Sequence, residues 1–454
     1  MLIIIEVILI VIFLIIGIET IIKLKNSEGK LMKDVRKPLL IRIDIIVVLT
    51  IIISILTIVN VFNAKPNNEY KPEFKDPISY TDTDFNTRLI KTVNSSIKSN
   101  YLISPYSIEI ALSMLKEGAK DNTYDEINNL VNRKINSVSN DKVKVANAIF
   151  IKNKFKNYIE ESFYNNLKNK YSSEILYDEF KTPKVINNWV NKNTSGMIPK
   201  ILDTIDKDFV LGLANAIAID VNWTNSFECI GTRSEEFTKA DNSKINVEMM
   251  HQTYKYDGTK YIDFDNIKGI ILPYESGLEF VGIIPNDINE YINSMDSKSF
   301  DNIDKNAINA SNNLHIRLSL PRFSYSFDLE NFKDILISMG IKDVFDRVKA
   351  DLTNIITKDN LKKVDPNYDN IYVDETIHKT YIDLNERGTK AAAVTYFGIK
   401  AEATAIEREY KEVNINFDKP FIYMIRDTKN KEILFFGVVY EPNIWKGSTC
   451  SNEK

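Results

Sequence analysis

Two long apolar runs open the chain, at residues 2–22 and 45–61. Each is long enough to cross a hydrocarbon core of ~30 Å as a helix rising ~1.5 Å per residue. Glu6, in the first run, is costly in lipid but sits near the end of the run, where a side chain reaches the interface. The stretch between the runs carries Lys23, Lys25, Lys30, Lys33, Arg36, Lys37 and Arg42 against Glu28, Asp34 and Asp44. Short basic loops stay cytoplasmic, so the pattern predicts a two-helix transmembrane hairpin over 1–62 with everything after it outside. No positive segment precedes the first run and no small-residue cleavage site follows it, which argues against a signal peptide. Residues 63–80, with Pro66, Pro72 and Pro77 among polar residues, read as a semi-stiff extracytoplasmic linker.

From about residue 81 the pattern becomes mixed. Ile108, Ala111, Leu112 and Leu115 share one helical face, as do Phe332, Ile335 and Leu336. Apolar runs at 269–273, 280–284, 314–320, 371–373 and 433–438 read as strands. Helical segments crowd the first half and strands the second, so the fold class expected is α+β rather than alternating βαβ units. This domain is expected over 81–443, with a short polar, disordered tail at 444–454.

The chain has 454 residues, 44% of them hydrophobic, enough for a sizeable core, and a net charge of -4. A nucleic-acid partner usually requires a basic surface, so none is expected. Cys229 and Cys450 lack metal-site spacing and cannot frame a domain of this size, and they read as two free thiols. The histidines, His251, His315 and His378, stand apart from one another, and no nucleophile elbow, zinc helix or phosphate loop occurs. No metal, no cofactor and no catalytic residue is expected, and the chain does not read as an enzyme.

The informative stretch runs from Glu386 through Arg387, Gly388, Thr389, Lys390, Ala391, Ala392, Ala393 and Val394 to Thr395. A glycine near its start can serve as a hinge. Small residues without proline follow. In a strand, Thr389, Ala391, Ala393, Thr395 and Phe397 would share one face, and Lys390, Ala392, Val394 and Tyr396 the other. By composition alone, an alanine-rich helix is equally open.

This segment resembles the reactive-loop hinge of the serpins, a family of protease inhibitors. Other stretches resemble the same family in order and spacing: residues 100–108 (Asn-x-x-x-Ser-Pro-x-Ser-Ile), Gly118–Thr123, Trp189-Val190 with Thr194 and Gly196, Asn215-Ala216-Ile217 with Trp223 and Phe227, Leu320-Pro321-Arg322-Phe323, Met339-Gly340-Ile341, His378-Lys379, Phe417 with Pro420-Phe421, and Ile433–Gly437. The resemblance implies about nine helices around three β-sheets, with the loop exposed on top. It implies a suicide-substrate mechanism, in which a serine or cysteine protease cuts the loop, is held as an acyl-enzyme, and is dragged across the molecule as the loop inserts into the main sheet. The partner would be that target protease, with the inhibitor a monomer attached to the cell membrane by its hairpin. A serpin that no longer inhibits and serves as a surface binding module is the alternative.

By the same resemblance, Glu386, Gly388, Thr389, Ala391, Ala392, Ala393 and Thr395 form the hinge. Ser104, Ser107, Asn215 and His378 form a shutter at the centre of the sheet. Arg322, Glu386 and Trp223 form a breach at its top. Counting seventeen residues from Glu386 puts the scissile bond between Glu402 and Ala403, whereas counting back from Pro420 favours Arg408 or Glu409. The chain departs from the family's pattern at Arg387 and Lys390, at Val394 and bulky Phe397, and at Met197 and Asp121. Asn94, Asn193 and Asn222 begin glycosylation-type triplets, read as chance in an Asn-rich chain.

Overall fold

The helix Pro105–Gly118 starts where the chain can cap it: the Ser104 hydroxyl accepts the Ser107 N–H, and Pro105 sits at the first helical position. Its apolar face is buried against the strands Leu211–Ile219 and Ile433–Val439, which places it at the centre of the molecule. The computed structural model describes residues 84–138, 142–255, 258–389 and 410–442, all within one unit spanning Phe74–Lys454. The expected hairpin, linker and tail lie outside the described residues, as do Ala391, Ala392, Ala393, Thr395, Glu402 and Ala403. Among the described residues, no helix is long and apolar enough to cross a membrane.

Nine α-helices occur among the described residues, with strands concentrated in the second half of the chain, an α+β arrangement. A seven-stranded sheet orders Tyr101–Ile103, Ile433–Val439, Phe421–Asp427, Leu278–Pro285, Ile267–Pro273, Lys260–Phe264 and Ile308–Asn309. Every residue of Leu278–Pro285 is buried, the one charged member, Glu279, being paired with Arg426 and Lys431. A four-stranded sheet orders Lys411–Asn416, Leu314–Pro321, Lys244–Tyr254 and Arg233–Thr238.

The remaining strands form two ladders. One orders Glu174–Asp178, Val143–Lys152 and Leu211–Ile219. The other orders Phe323–Asp328, Lys379–Asn385, Gly388–Thr389 and Val221–Asn222. The strand Leu211–Ile219 runs through Asp220 into Val221–Asn222, so the two ladders are halves of one sheet, joined at one end and parted below it. Four ladders therefore replace the three sheets expected, because the main sheet is split. The gap is a cavity of about 580 Å³, lined by Ala214–Ala218 on one side and by His378, Thr380 and Ile382 on the other, with Thr389 also in its lining.

The split also corrects one strand. Residues 371–373 lie in no strand; they line the cavity, and the Val373 N–H bonds the Val344 carbonyl instead of a sheet partner. Cys229 is disulfide-bonded rather than a free thiol, while the chain's other cysteine, Cys450, lies outside the described residues. Sequence spacing carries no information on which cysteines meet in space. The amide nitrogens of the three glycosylation-type asparagines are occupied. Asn94, 1% exposed, donates to Asn289 Oδ1, Asn193 to the Trp189 carbonyl, and Asn222 to Glu275 Oε2.

Candidate functional site: a parted sheet with a latched top and floor

At the top of the gap, Gly388 and Thr389 already form a two-residue strand between the half-sheets. Thr389 pairs with Leu384 on one side and Val221 on the other, both antiparallel. The sequence reading placed these residues at the start of an exposed loop; here both are buried. A side chain at 388 would not fit, because a Cβ there would lie 2.1 Å from the Val221 carbonyl oxygen. Glycine is thus required by close approach of backbone, beyond its conformational freedom.

Arg322, Glu386 and Trp223 meet here. Arg322 Nη1 lies 3.1 Å from Glu386 Oε1, with side-chain exposures of 3% and 5%. Arg322 Nη2 also reaches Glu248 at 3.3 Å, and Thr232 Oγ1 donates to Glu386 Oε1 at 2.7 Å. The Trp223 indole N–H donates to the Asn385 carbonyl, its backbone N–H donates to Arg387, and the Phe227 N–H donates to the Glu386 carbonyl. The Trp223 ring stacks on Tyr274 with centroids 4.2 Å apart and planes 9° from parallel, and meets Phe280 edge-on. Consecutive residues at the root of the loop are therefore held by one aromatic and ionic cluster.

The floor is held by neutral hydrogen bonds. The Ser104 N–H donates to His378 Nε2 at 3.0 Å. Ser107 Oγ donates to Asn215 Oδ1, and Asn215 Nδ2 to Asn147 Oδ1 at 2.8 Å. Asn147 Nδ2 continues to the Tyr171 carbonyl at 2.7 Å. Ser104, Ser107, Asn215 and His378 thus come together, with Ser104 and Ser107 on the central helix and Asn215 and His378 on opposite sides of the gap. His378 accepts at Nε2, and burial holds its pKa down at about 4, so it is neutral near pH 7. Thr380 adds a bond to the Leu102 carbonyl.

Sequence reasoning missed Asn147, Thr232, Glu248 and Tyr274. Asn147 is directly opposite Asn215 in register, a placement set by strand pairing and unmarked by its own segment. The other three are brought in by tertiary contact alone. His251 bonds the Ser319 hydroxyl and His315 stacks on Tyr410, so neither adds to this site. Among the described residues, no cluster of His, Cys, Asp or Glu could hold a metal ion.

Helices packed on several sheets, with the main sheet parted below a short bridging strand, fit the α+β serpin fold that the sequence resemblance implies. Comparison with known proteins agrees. A family profile described as serpin (serine protease inhibitor) matches residues 80–442, and the chain belongs to that family. It is 28% identical to a leukocyte elastase inhibitor of Xenopus tropicalis over 80% of this chain and 99% of that one. It is 26% identical to human neuroserpin over 76% of this chain and 86% of the other. Among solved structures, the thermophilic serpin Tengpin in its native state superposes with a TM-score of 0.67 at 30% identity, over 80% of this chain and 93% of Tengpin.

Two outcomes test the latches. R322A strands the buried Glu386 carboxylate without its cation and should destabilise by roughly 3–5 kcal/mol, whereas E386A leaves Arg322 beside Glu248 and should cost less. The exchange R322E/E386R should recover part of what the single reversals R322E and E386R lose in urea unfolding; full additivity of those two reversals would exclude the pairing. For His378, the folded pKa is depressed from 6.5 to about 4. The stability it contributes is complete above pH 6.5 and is lost as pH falls toward 4, about 3 kcal/mol in all. The urea midpoint of the native chain should therefore fall more steeply between pH 7 and 4.5 than that of H378Q. Parallel slopes would contradict a neutral, buried His378.

Proposed function

We propose that this chain is an irreversible suicide-substrate inhibitor of a serine or cysteine protease rather than an enzyme. The single observation that carries this reading is the unfilled strand position between Leu211–Ile219 and Lys379–Asn385, with Gly388–Thr389 in place at its top. Inhibitory relatives, such as the leukocyte elastase inhibitor, support protease inhibition as the general activity.

The reaction runs on the target's own chemistry. The protease nucleophile attacks the carbonyl of Glu402, the bond to Ala403 breaks, and the amine of Ala403 leaves carrying a proton. The new end of the loop stays bonded to the protease as an ester or thioester. Released from tension, the loop extends the pairing that Thr389 has begun. Continuing that register downward sets Ala391 between Ile219 and Ile382, Ala393 between Ile217 and Thr380, and Thr395 between Asn215 and His378. Small side chains thus meet the buried faces, and a threonine hydroxyl arrives at the polar floor. Phe397 comes to the level of Leu213 and Thr376, where its bulk slows the last part of entry.

The energy suffices. About 15 residues at ~3.3 Å each span roughly 50 Å. On the order of 15 new backbone hydrogen bonds at ~0.5–1.5 kcal/mol each release roughly 10–20 kcal/mol. That matches or exceeds the ~5–15 kcal/mol that holds a typical domain together. The uncut form must then be kinetically trapped.

The apolar runs at 2–22 and 45–61 anchor this inhibitor in the cell membrane, with the serpin domain on the extracytoplasmic side and acting as a monomer.

The test mixes the full-length chain with a panel of serine and cysteine proteases and resolves the products in SDS. An SDS-stable species at the summed mass is expected, and sequencing the released peptide fixes the cut. Thr389 is 5% exposed, so T389R forces a charge into the buried face. The variant should be cut at the same bond while trapping at least about tenfold less protease, since each ~1.4 kcal/mol added to the barrier is tenfold in rate. Cleavage of both proteins with every protease left active, or trapping by T389R equal to the native chain's, would overturn the reading.

A further inference from the structure

Tyr274 has no part in the sequence reading, yet its hydroxyl lies 2.6 Å from Thr389 Oγ1 in a site where both residues are buried. We propose that Tyr274 is a positioning residue that holds the hinge docked before the loop is cut. This rests on the inhibitor reading above and adds the step that starts insertion.

Tyr274 belongs to neither half of the parted sheet. It follows the strand Ile267–Pro273 of the seven-stranded sheet, and its N–H is fixed by the Leu278 carbonyl at 2.9 Å. Next to it, the Thr224 N–H donates to the Pro273 carbonyl, and an isolated bridge joins Trp223 to Tyr274. With its ring flat against Trp223, the hydroxyl is aimed by packing from a rigid sheet. Trp223 takes the carbonyls of Asn385 and Arg387, and Tyr274 takes the side chain of Thr389. The pair thus grips alternate residues, 385, 387 and 389.

Gly388 and Thr389 could pair with the half-sheets without a side-chain bond, but Thr389 would then bury its hydroxyl beside that of Tyr274 with no partner there. Withdrawal of the hinge leaves the Tyr274 hydroxyl in the same position. Breaking this bond therefore biases the hinge toward release by about tenfold, the change that ~1.4 kcal/mol produces. A docked hinge has already lost the backbone freedom that insertion must remove from its first residues. Entry of the cut loop then begins with Lys390 rather than with Gly388, and competes better with hydrolysis of the acyl-enzyme.

The experiment compares the full-length chain with Y274F, T389V and Y274F/T389V, each of which keeps the side-chain volume nearly unchanged. Hydrogen–deuterium exchange is read on peptides covering residues 386–389. Each single change should raise exchange there by about tenfold, and the double should go no further, because both remove one bond. Exchange in Y274F equal to the native chain's, or single effects that multiply in the double, would overturn the proposal. Should Y274F not fold, T389V carries the same exchange test. Exchange needs no protease, so its failure is distinguishable from failure of the inhibitor reading. Against a trapped protease, Y274F should consume several molecules per enzyme inactivated with an unchanged association rate; an unchanged stoichiometry also counts against it.

Discussion

Backbone N–H and C=O groups must be paired wherever water is excluded, and the main sheet of this protein is built around a place where that pairing is incomplete. The strands Leu211–Ile219 and Lys379–Asn385 face each other across a cavity instead of bonding, and Gly388–Thr389 bridges them at the top. Much else follows from that gap. The central helix Pro105–Gly118 has to close its floor, the aromatic cluster around Trp223 has to close its top, and residue 388 has to be glycine because two backbones meet there.

The two closures differ in kind, and the difference suits the opening that the proposed mechanism requires. The top is tied by the buried Arg322–Glu386 ion pair and by the stacked rings of Trp223 and Tyr274. The floor is tied by serine, asparagine and a histidine that burial keeps neutral. Neutral hydrogen bonds are worth about 0.5–1.5 kcal/mol each and can be exchanged one for another. In the proposed insertion, a threonine arriving at the level of Asn215 and His378 would replace what parting the floor gives up, while the ionic top would stay closed behind the entering strand.

Much of this was legible before any coordinates. The helix Pro105–Gly118 announces itself by the apolar spacing of Ile108, Ala111, Leu112 and Leu115, and the strands Ile267–Pro273 and Leu278–Pro285 by the apolar runs at 269–273 and 280–284. Short runs of distinctive residues grouped Arg322 with Glu386, and Ser104, Ser107, Asn215 and His378 with one another, and the structure brings each of these groups together. Asp121 stands where the family resemblance leads one to expect glycine, and its φ of 46° gives the reason: the position is left-handed. What could not be read is tertiary. Residues 371–373 have the apolar pattern of a strand, but they line the cavity and the Val373 N–H is taken by the Val344 carbonyl. Tyr274 and Thr232 are remote in sequence from the hinge they touch, and nothing local marks the state of Cys229.

The account's central claim is that the intact molecule is held short of its most stable arrangement by a strand it has not yet accepted. The direct test is thermal unfolding before and after a single cut in the loop, by any protease that nicks between residues 396 and 408. The account predicts that the nicked chain, with both pieces still associated, unfolds at a markedly higher temperature than the intact one. A nicked chain that unfolds at the same temperature or lower would mean that the gap is not waiting for the loop, and the claim would fail.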